Sequence, residues 1–201
     1  MDDSVVFIVD DDAGVRESLR WMIESAGLRV KTYARAEDFL ATYRPTRAGC
    51  LVLDLRMPGM NGIALQQQLI ERRIHIGVIF ITAHASVPTA VNAMRAGAVD
   101  FLTKPFSEQA LLDRIHHCIE KARRESSNNA ERADFAARFA RLTPREQEIL
   151  RDVVSGKSNK IIAAERKISQ KTVESHRAKM MHKLQAHSLA DLMRKVFTEQ
   201  I

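Results

Sequence analysis

Four apolar runs, each ending abruptly in a polar or charged residue, constrain this chain more than any other feature. Val5-Val6-Phe7-Ile8-Val9 ends in Asp10-Asp11-Asp12, and Cys50-Leu51-Val52-Leu53 ends in Asp54. Val78-Ile79-Phe80-Ile81 ends in Thr82-Ala83, and Asp100-Phe101-Leu102-Thr103 in Lys104-Pro105. Apolar runs without strict alternation fit strands covered by helices on both sheet faces. In open α/β sheets a site forms outside the carboxyl ends of the strands, where the strand order reverses. The layout therefore predicts clustered carboxylates, one hydroxyl and one ammonium around a divalent cation and a phosphoryl group.

The first 120 residues read as five repeats of strand then helix. Strands are expected near 5–9, 28–33, 50–53, 77–81 and 99–102. Helical spacing joins Val15, Leu19, Met22 and Ile23, then Ile63, Leu65, Leu69 and Ile70, then Leu111, Leu112, Ile115 and Ile119. Alternating β and α elements imply a parallel sheet with right-handed crossovers. Residues 121–139 are polar without a core stripe until Phe135 and read as a helical linker, with fraying expected at Ser126–Asn129. Residues 140–201 read as all-helical. Thr143-Pro144-Arg145-Glu146 opens the first helix with a capping box, and Gly156 stops it. Ser158 and Ser169 cap the next two helices, and a fourth is expected from Ser188 to Val196. A short helix, a tight turn and a basic helix make a helix-turn-helix candidate.

Charge separates the halves. Through Ala122 there are 14 Lys+Arg against 15 Asp+Glu; from Arg123 onward there are 17 against 10. The excess positive charge lies in the C-terminal part and suggests a polyanionic partner. No run of about 18 apolar residues predicts a transmembrane helix, and the acidic N-terminus does not read as a signal peptide. Cys50 and Cys118 lie in apolar segments without ligand spacing. They are expected to be buried thiols of a cytoplasmic protein.

Asp10-Asp11, Asp54-Leu55-Arg56-Met57-Pro58-Gly59, Thr82 and Lys104-Pro105, in this order and spacing, resemble the receiver domain of two-component response regulators. The C-terminal helices resemble the LuxR/FixJ (NarL) type of helix-turn-helix. Ile81-Thr82-Ala83-His84, Val87-Pro88, Ala96-Gly97-Ala98-Val99-Asp100-Phe101-Leu102 and Lys104-Pro105-Phe106 are similar to the FixJ group. The resemblance covers nearly the whole chain except the linker. It implies a flavodoxin-like, doubly wound, five-stranded receiver over 1–120, a linker over 121–139, and an all-α LuxR-type DNA-binding domain over 140–201.

The resemblance implies Asp54 as phosphoacceptor, its carboxylate attacking phosphorus to give an acyl phosphate. It implies a magnesium or manganese ion held by Asp11 and Asp54, by Asp10 partly through water, and by the backbone carbonyl of Arg56. Asp12 reads instead as a helix cap. Lys104 would place its charge on the phosphoryl oxygens, with a cis Lys104-Pro105 bond. Thr82 would be the switch hydroxyl and Phe101 the aromatic switch. The dimer surface would run from Val87 to Phe106, with Val91 and Arg95 as contacts. Glu174, Ser175 and Ala178 would face base edges; Lys160, Lys171, Thr172 and Arg177 would contact phosphates.

One departure stands out. Many relatives carry Leu-Gly before the recognition helix, where this chain has Arg166-Lys167. A turn needing positive φ would cost Lys167 about 1 kcal/mol relative to glycine, and Arg166 is expected to point its head to water. The implied partners are a sensor histidine kinase, double-stranded DNA, RNA polymerase and a second copy of the chain on phosphorylation. No membrane is implied. An aspartyl-phosphate enzyme would usually have an acid-base carboxylate two residues beyond the nucleophile, where Arg56 stands. The expected chemistry is therefore self-phosphorylation and slow autodephosphorylation, modulated at most by His84 or Arg56. The alternative is a phosphorylation-independent DNA-binding regulator whose receiver is only a dimer scaffold.

Overall fold

The computed structural model describes residues 4–44, 49–83 and 86–199. The chain divides into two compact units, the first through Ser126 and the second from Ser127.

In the first unit, β1 (Val5–Val9), β2 (Arg29–Tyr33), β3 (Gly49–Asp54), β4 (Gly77–Thr82) and β5 (Asp100–Thr103) alternate with five helices. These are α1 (Ala13–Ser25), α2 (Ala36–Thr42), α3 (Gly62–Glu71), α4 (Val87–Arg95) and α5 (Glu108–Phe139), whose residues from Ser127 onward belong to the second unit. The strands form one parallel sheet in the order β2-β1-β3-β4-β5. The order reverses between β1 and β3, so the carboxyl ends carrying Asp10 and Asp54 flank the switch point.

Successive side chains of a strand point to opposite faces. Phe7, Leu51, Leu53, Val78 and Phe80 therefore pack with Phe39, Leu65 and Leu69 on one face. Val6, Ile8, Cys50, Val52, Ile79 and Ile81 pack on the other with Leu19, Ile23, Leu111 and Ile115. Both faces are buried under helices, which explains the apolar runs. Both cysteines are buried free thiols, as their apolar context predicts.

Asp12 caps α1 by accepting from the Val15 N–H at 3.0 Å, the role its position suggested. Helix α5 departs from expectation by running unbroken through Ser126–Asn129. Good helix formers flank those four residues, and ion pairs Lys121–Glu125 and Asp134–Arg138 at i,i+4 support the helix on either side.

In the second unit, α6 (Pro144–Val154), α7 (Asn159–Glu165), α8 (Gln170–Lys183) and α9 (Leu189–Glu199) follow. They bury Ile149, Leu150, Ile162, Val173, Met180, Leu184 and Leu192 together with Phe135 of α5. The capping box on α6 is complete: the Glu146 N–H donates to Thr143 Oγ1 at 3.3 Å, and the Thr143 N–H donates to Glu146 Oε2 at 2.8 Å. Ser158 and Ser169 cap α7 and α8 through their hydroxyls. Among the described residues, no helix is long and apolar enough to cross a membrane.

Candidate functional site

The strand ends bring Asp10, Asp54 and Lys104 together. Asp10 and Asp54 are buried at the ends of adjacent strands. The Lys104 ammonium reaches both, 3.0 Å from Asp10 Oδ2 and 3.3 Å from Asp54 Oδ1. The Lys104-Pro105 peptide is cis, and the Lys104 N–H donates to the Thr82 carbonyl at 2.8 Å. The other oxygens of the two carboxylates accept main-chain N–H groups. Arg56 N–H donates to Asp54 Oδ2 at 2.7 Å, and Asp12 N–H to Asp10 Oδ1 at 2.9 Å. Gly62 opens α3 directly against this site. A Cβ there would lie 2.4 Å from the Asp54 carbonyl oxygen, so only glycine lets the helix start so close to β3.

Burial pushes the Asp54 carboxyl above its ordinary range, and the Asp10 charge adds to the shift against the Arg56 N–H and Lys104. Burial alone would lower the Lys104 ammonium. Its bond to Asp10 and the charges of Asp10 and Asp54 outweigh this and hold it above the usual lysine value. One ammonium therefore faces two buried carboxylates, with the exposed Asp11 beside them. Among the described residues, no three His, Cys, Asp or Glu side chains stand close enough to hold an ion unaided. The donors still fit magnesium in chemistry: hard carboxylate oxygens from two buried aspartates that share one ammonium, and an ion that keeps several of its own waters.

Two residues of this site escaped the sequence reading. Arg16 donates from one guanidinium nitrogen to the carbonyls of Asp10 at 2.7 Å and Asp11 at 2.9 Å, fixing the loop that carries both acids. A cation in the first turn of α1, against the helix dipole, was the available signal. Glu37 accepts the Met60 N–H at 3.1 Å and so ties α2 to the loop after Asp54.

Thr82 is buried at the end of β4. Phe101 is half-buried on β5, its ring 6.0 Å from that of Phe80. On α4, Val87, Val91 and Met94 are exposed apolar side chains beside exposed Arg95. His84 lies outside the described residues.

In the second unit, α8 presents exposed Lys171, Glu174, Ser175 and Ala178, with Thr172 and Arg177 half-buried. Lys160 of α7 is exposed as well. Val173, Met180 and Leu184 are buried and Met181 partly so, which orients the polar face of α8 outward. Arg177 donates to Asn159 Oδ1 at 2.9 Å, joining α8 to the start of α7. Lys167 adopts φ 52°, the conformation anticipated from the missing glycine. Arg166 corrects the sequence reading: its head turns inward to Asp152 and Glu148 instead of out to water. Two carboxylates on α6 offer charge-assisted bonds that the turn alone did not reveal.

Residues 6–116 match the family described as "Response regulator receiver domain", and residues 140–196 match "Bacterial regulatory proteins, luxR family". The transcriptional regulatory protein FixJ of Rhizobium meliloti is 44% identical over 194 residues, which cover 96% of this chain and 95% of that protein. Nodulation protein W of Bradyrhizobium diazoefficiens is 41% identical, over 95% of this chain and 84% of the relative. Among solved structures, the response regulator StyR is 45% identical with a TM-score of 0.86, covering 98% of this chain and 99% of that one.

Proposed function

The chain belongs to the FixJ/LuxR-type response regulators, DNA-binding transcription regulators rather than enzymes in the ordinary sense, and on that premise we propose that Asp54 accepts a phosphoryl group from a sensor histidine kinase. The observation that carries the reading is the Asp10–Lys104–Asp54 triad at the sheet's switch point. A buried carboxylate at a strand end is a poised nucleophile, and an ammonium already 3.3 Å away can follow the charge onto the phosphoryl oxygens.

A magnesium or manganese ion held by Asp10, Asp11, Asp54 and the Arg56 carbonyl would neutralise charge on the incoming phosphoryl group. The protein's own residues do the rest. Arg16 fixes the acidic loop. Lys104 holds Asp54 and Asp10 in register. Thr82 supplies the hydroxyl that turns toward the phosphoryl group, and Phe101 moves into the space so released. Phosphorylation adds roughly −1.5 to −2 charges, enough to bias a two-state equilibrium by about 1–3 kcal/mol.

The response is dimerisation through α4 and β5. The exposed Val87, Val91 and Met94 stripe with Arg95 supports that surface. The dimer presents two α8 helices to duplex DNA in the cytoplasm and activates transcription with RNA polymerase; hydrolysis of the acyl phosphate resets it slowly. The test is sedimentation and DNA retention with and without magnesium and a small acyl phosphate. A phosphorylation-driven dimer that binds DNA more tightly is expected. Equal DNA binding at matched concentration would instead favour the scaffold alternative.

A further inference from the structure

The turns on either side of α7 are held by one buried carboxylate. Asp152 of α6 is 5% exposed, and both of its oxygens are engaged. Lys157, in the turn between α6 and α7, donates to Oδ1 at 3.0 Å. Arg166, which ends α7, donates from Nε to Oδ2 at 2.9 Å. The second arm of Arg166 reaches Glu148 Oε2 at 3.0 Å, while Lys157 also binds Glu165. Arg145 closes the network, donating to Glu148 Oε2 at 2.7 Å and to the Arg166 carbonyl at 3.3 Å. Three residues beyond Arg166 comes Ser169, the cap of α8. Between them Lys167 sits in the left-handed region at φ 52°, a strained conformation for a side chain with a Cβ.

We infer that Asp152 and Arg166 form an ionic clamp that positions the recognition helix on DNA. A turn strained at Lys167 needs an outside constraint to stay in one geometry. Two charge-assisted bonds from Arg166, anchored on different residues of α6, supply it. The clamp fixes where the start of α8 points, although neither residue belongs to the face presented to DNA. They are positioning residues. The inference rests on the DNA-binding role of the C-terminal unit and not on phosphorylation of Asp54.

The sign of one substitution separates this role from simple charge. Asp152→Asn makes the unit more positive, so long-range electrostatics alone would tighten binding to a polyanion. The clamp requires the opposite. The experiment uses full-length protein, all samples treated alike with magnesium and a small acyl phosphate. Binding to a labelled mixed-sequence duplex is followed by anisotropy, at a temperature where circular dichroism finds every variant folded. Asp152→Asn and Arg166→Gln are each expected to weaken binding by about tenfold, the effect of losing one well-made charged contact. The slope of affinity against salt should stay at the wild-type value for Asp152→Asn, because no phosphate contact is lost. The double variant should bind no worse than either single, since the pair acts as a unit. Unchanged or tighter binding by folded Asp152→Asn would overturn the inference, even if its melting temperature fell. So would single effects that multiply in the double variant. Wild type failing to retain the duplex at low salt would remove the DNA-binding premise itself and the clamp's role with it.

Discussion

Replacing Gly62 by alanine should damage both the receiver fold and its chemistry. The new Cβ would lie 2.4 Å from the Asp54 carbonyl oxygen, 3.0 Å from Phe80 Cε1 and 3.1 Å from Leu55 Cα. Two of these neighbours are main-chain atoms, of Asp54 at the end of β3 and of Leu55 just after it, so no rotamer change relieves them. Restoring ordinary van der Waals separation requires the start of α3 to retreat by about 1 Å. That retreat also stretches the 3.1 Å bond from the Gly62 N–H to the Leu55 carbonyl. Overpacking typically costs about 1–3 kcal/mol, and a clash against backbone puts this case near the upper end. For a domain of this size the melting temperature should fall by roughly 10 °C. A displacement of about 1 Å beside a reacting group slows chemistry by about tenfold or more. Gly27→Ala is the control. It has open space around it but φ +79°, so it should cost about 1 kcal/mol and leave the chemistry untouched. Thermal melts by circular dichroism and the rate of phosphorylation by a small acyl phosphate, read by intact mass, compare the two. Gly62→Ala melting no lower than Gly27→Ala and reacting at the wild-type rate would show that α3 accommodates the added methyl without moving.

Three further outcomes follow from the same geometry. Asp54→Asn should stabilise the magnesium-free protein at neutral pH. The folded carboxyl is raised, so its ionised form costs the fold; that cost is absent below the unfolded carboxyl value near pH 4 and grows as pH rises through the folded one. The melting-temperature gain should therefore shrink toward pH 4 and on adding magnesium to both proteins; a gain unchanged by either would contradict the charge argument. Glu146→Ala removes a buried carboxylate that accepts from Lys183 at 2.6 Å and closes the α6 capping box, so about 2 kcal/mol of stability should be lost in denaturant titration. A loss under about 0.5 kcal/mol, the range of an ordinary surface change, would show that the cap is idle. Arg95→Glu should accept phosphate normally yet fail to dimerise in sedimentation. Normal dimerisation would move the contact elsewhere on the receiver.

The acidic site was legible because topology, not fine packing, determines it. Apolar runs ending in Asp10, Asp54, Thr82 and Lys104 can only place those residues together at the carboxyl ends of a parallel sheet's strands. Caps at Asp12, Thr143, Ser158 and Ser169 were legible because capping is local in sequence. Arg16 escaped because its partners are main-chain carbonyls, which leave no mark on residue type. Arg166 was read as solvent-seeking because its partner, Asp152, stands 14 residues earlier on another helix. Only the packing of α6 against the turn reveals that an ionic pair, not water, receives the guanidinium. The continuity of α5 was missed for the opposite reason: the polar residues at Ser126–Asn129 suggest fraying locally, while the helix on both sides carries them through.

On the proposed function, Asp54 is the phosphoacceptor of a working receiver. The direct measurement is intact mass after incubation with magnesium and a small acyl phosphate, wild type beside Asp54→Asn. One added phosphoryl group on wild type and none on Asp54→Asn is the predicted result. Phosphorylation of the Asp54→Asn protein, or none on folded wild type with either this donor or a sensor kinase, would show that Asp54 is not the phosphoacceptor.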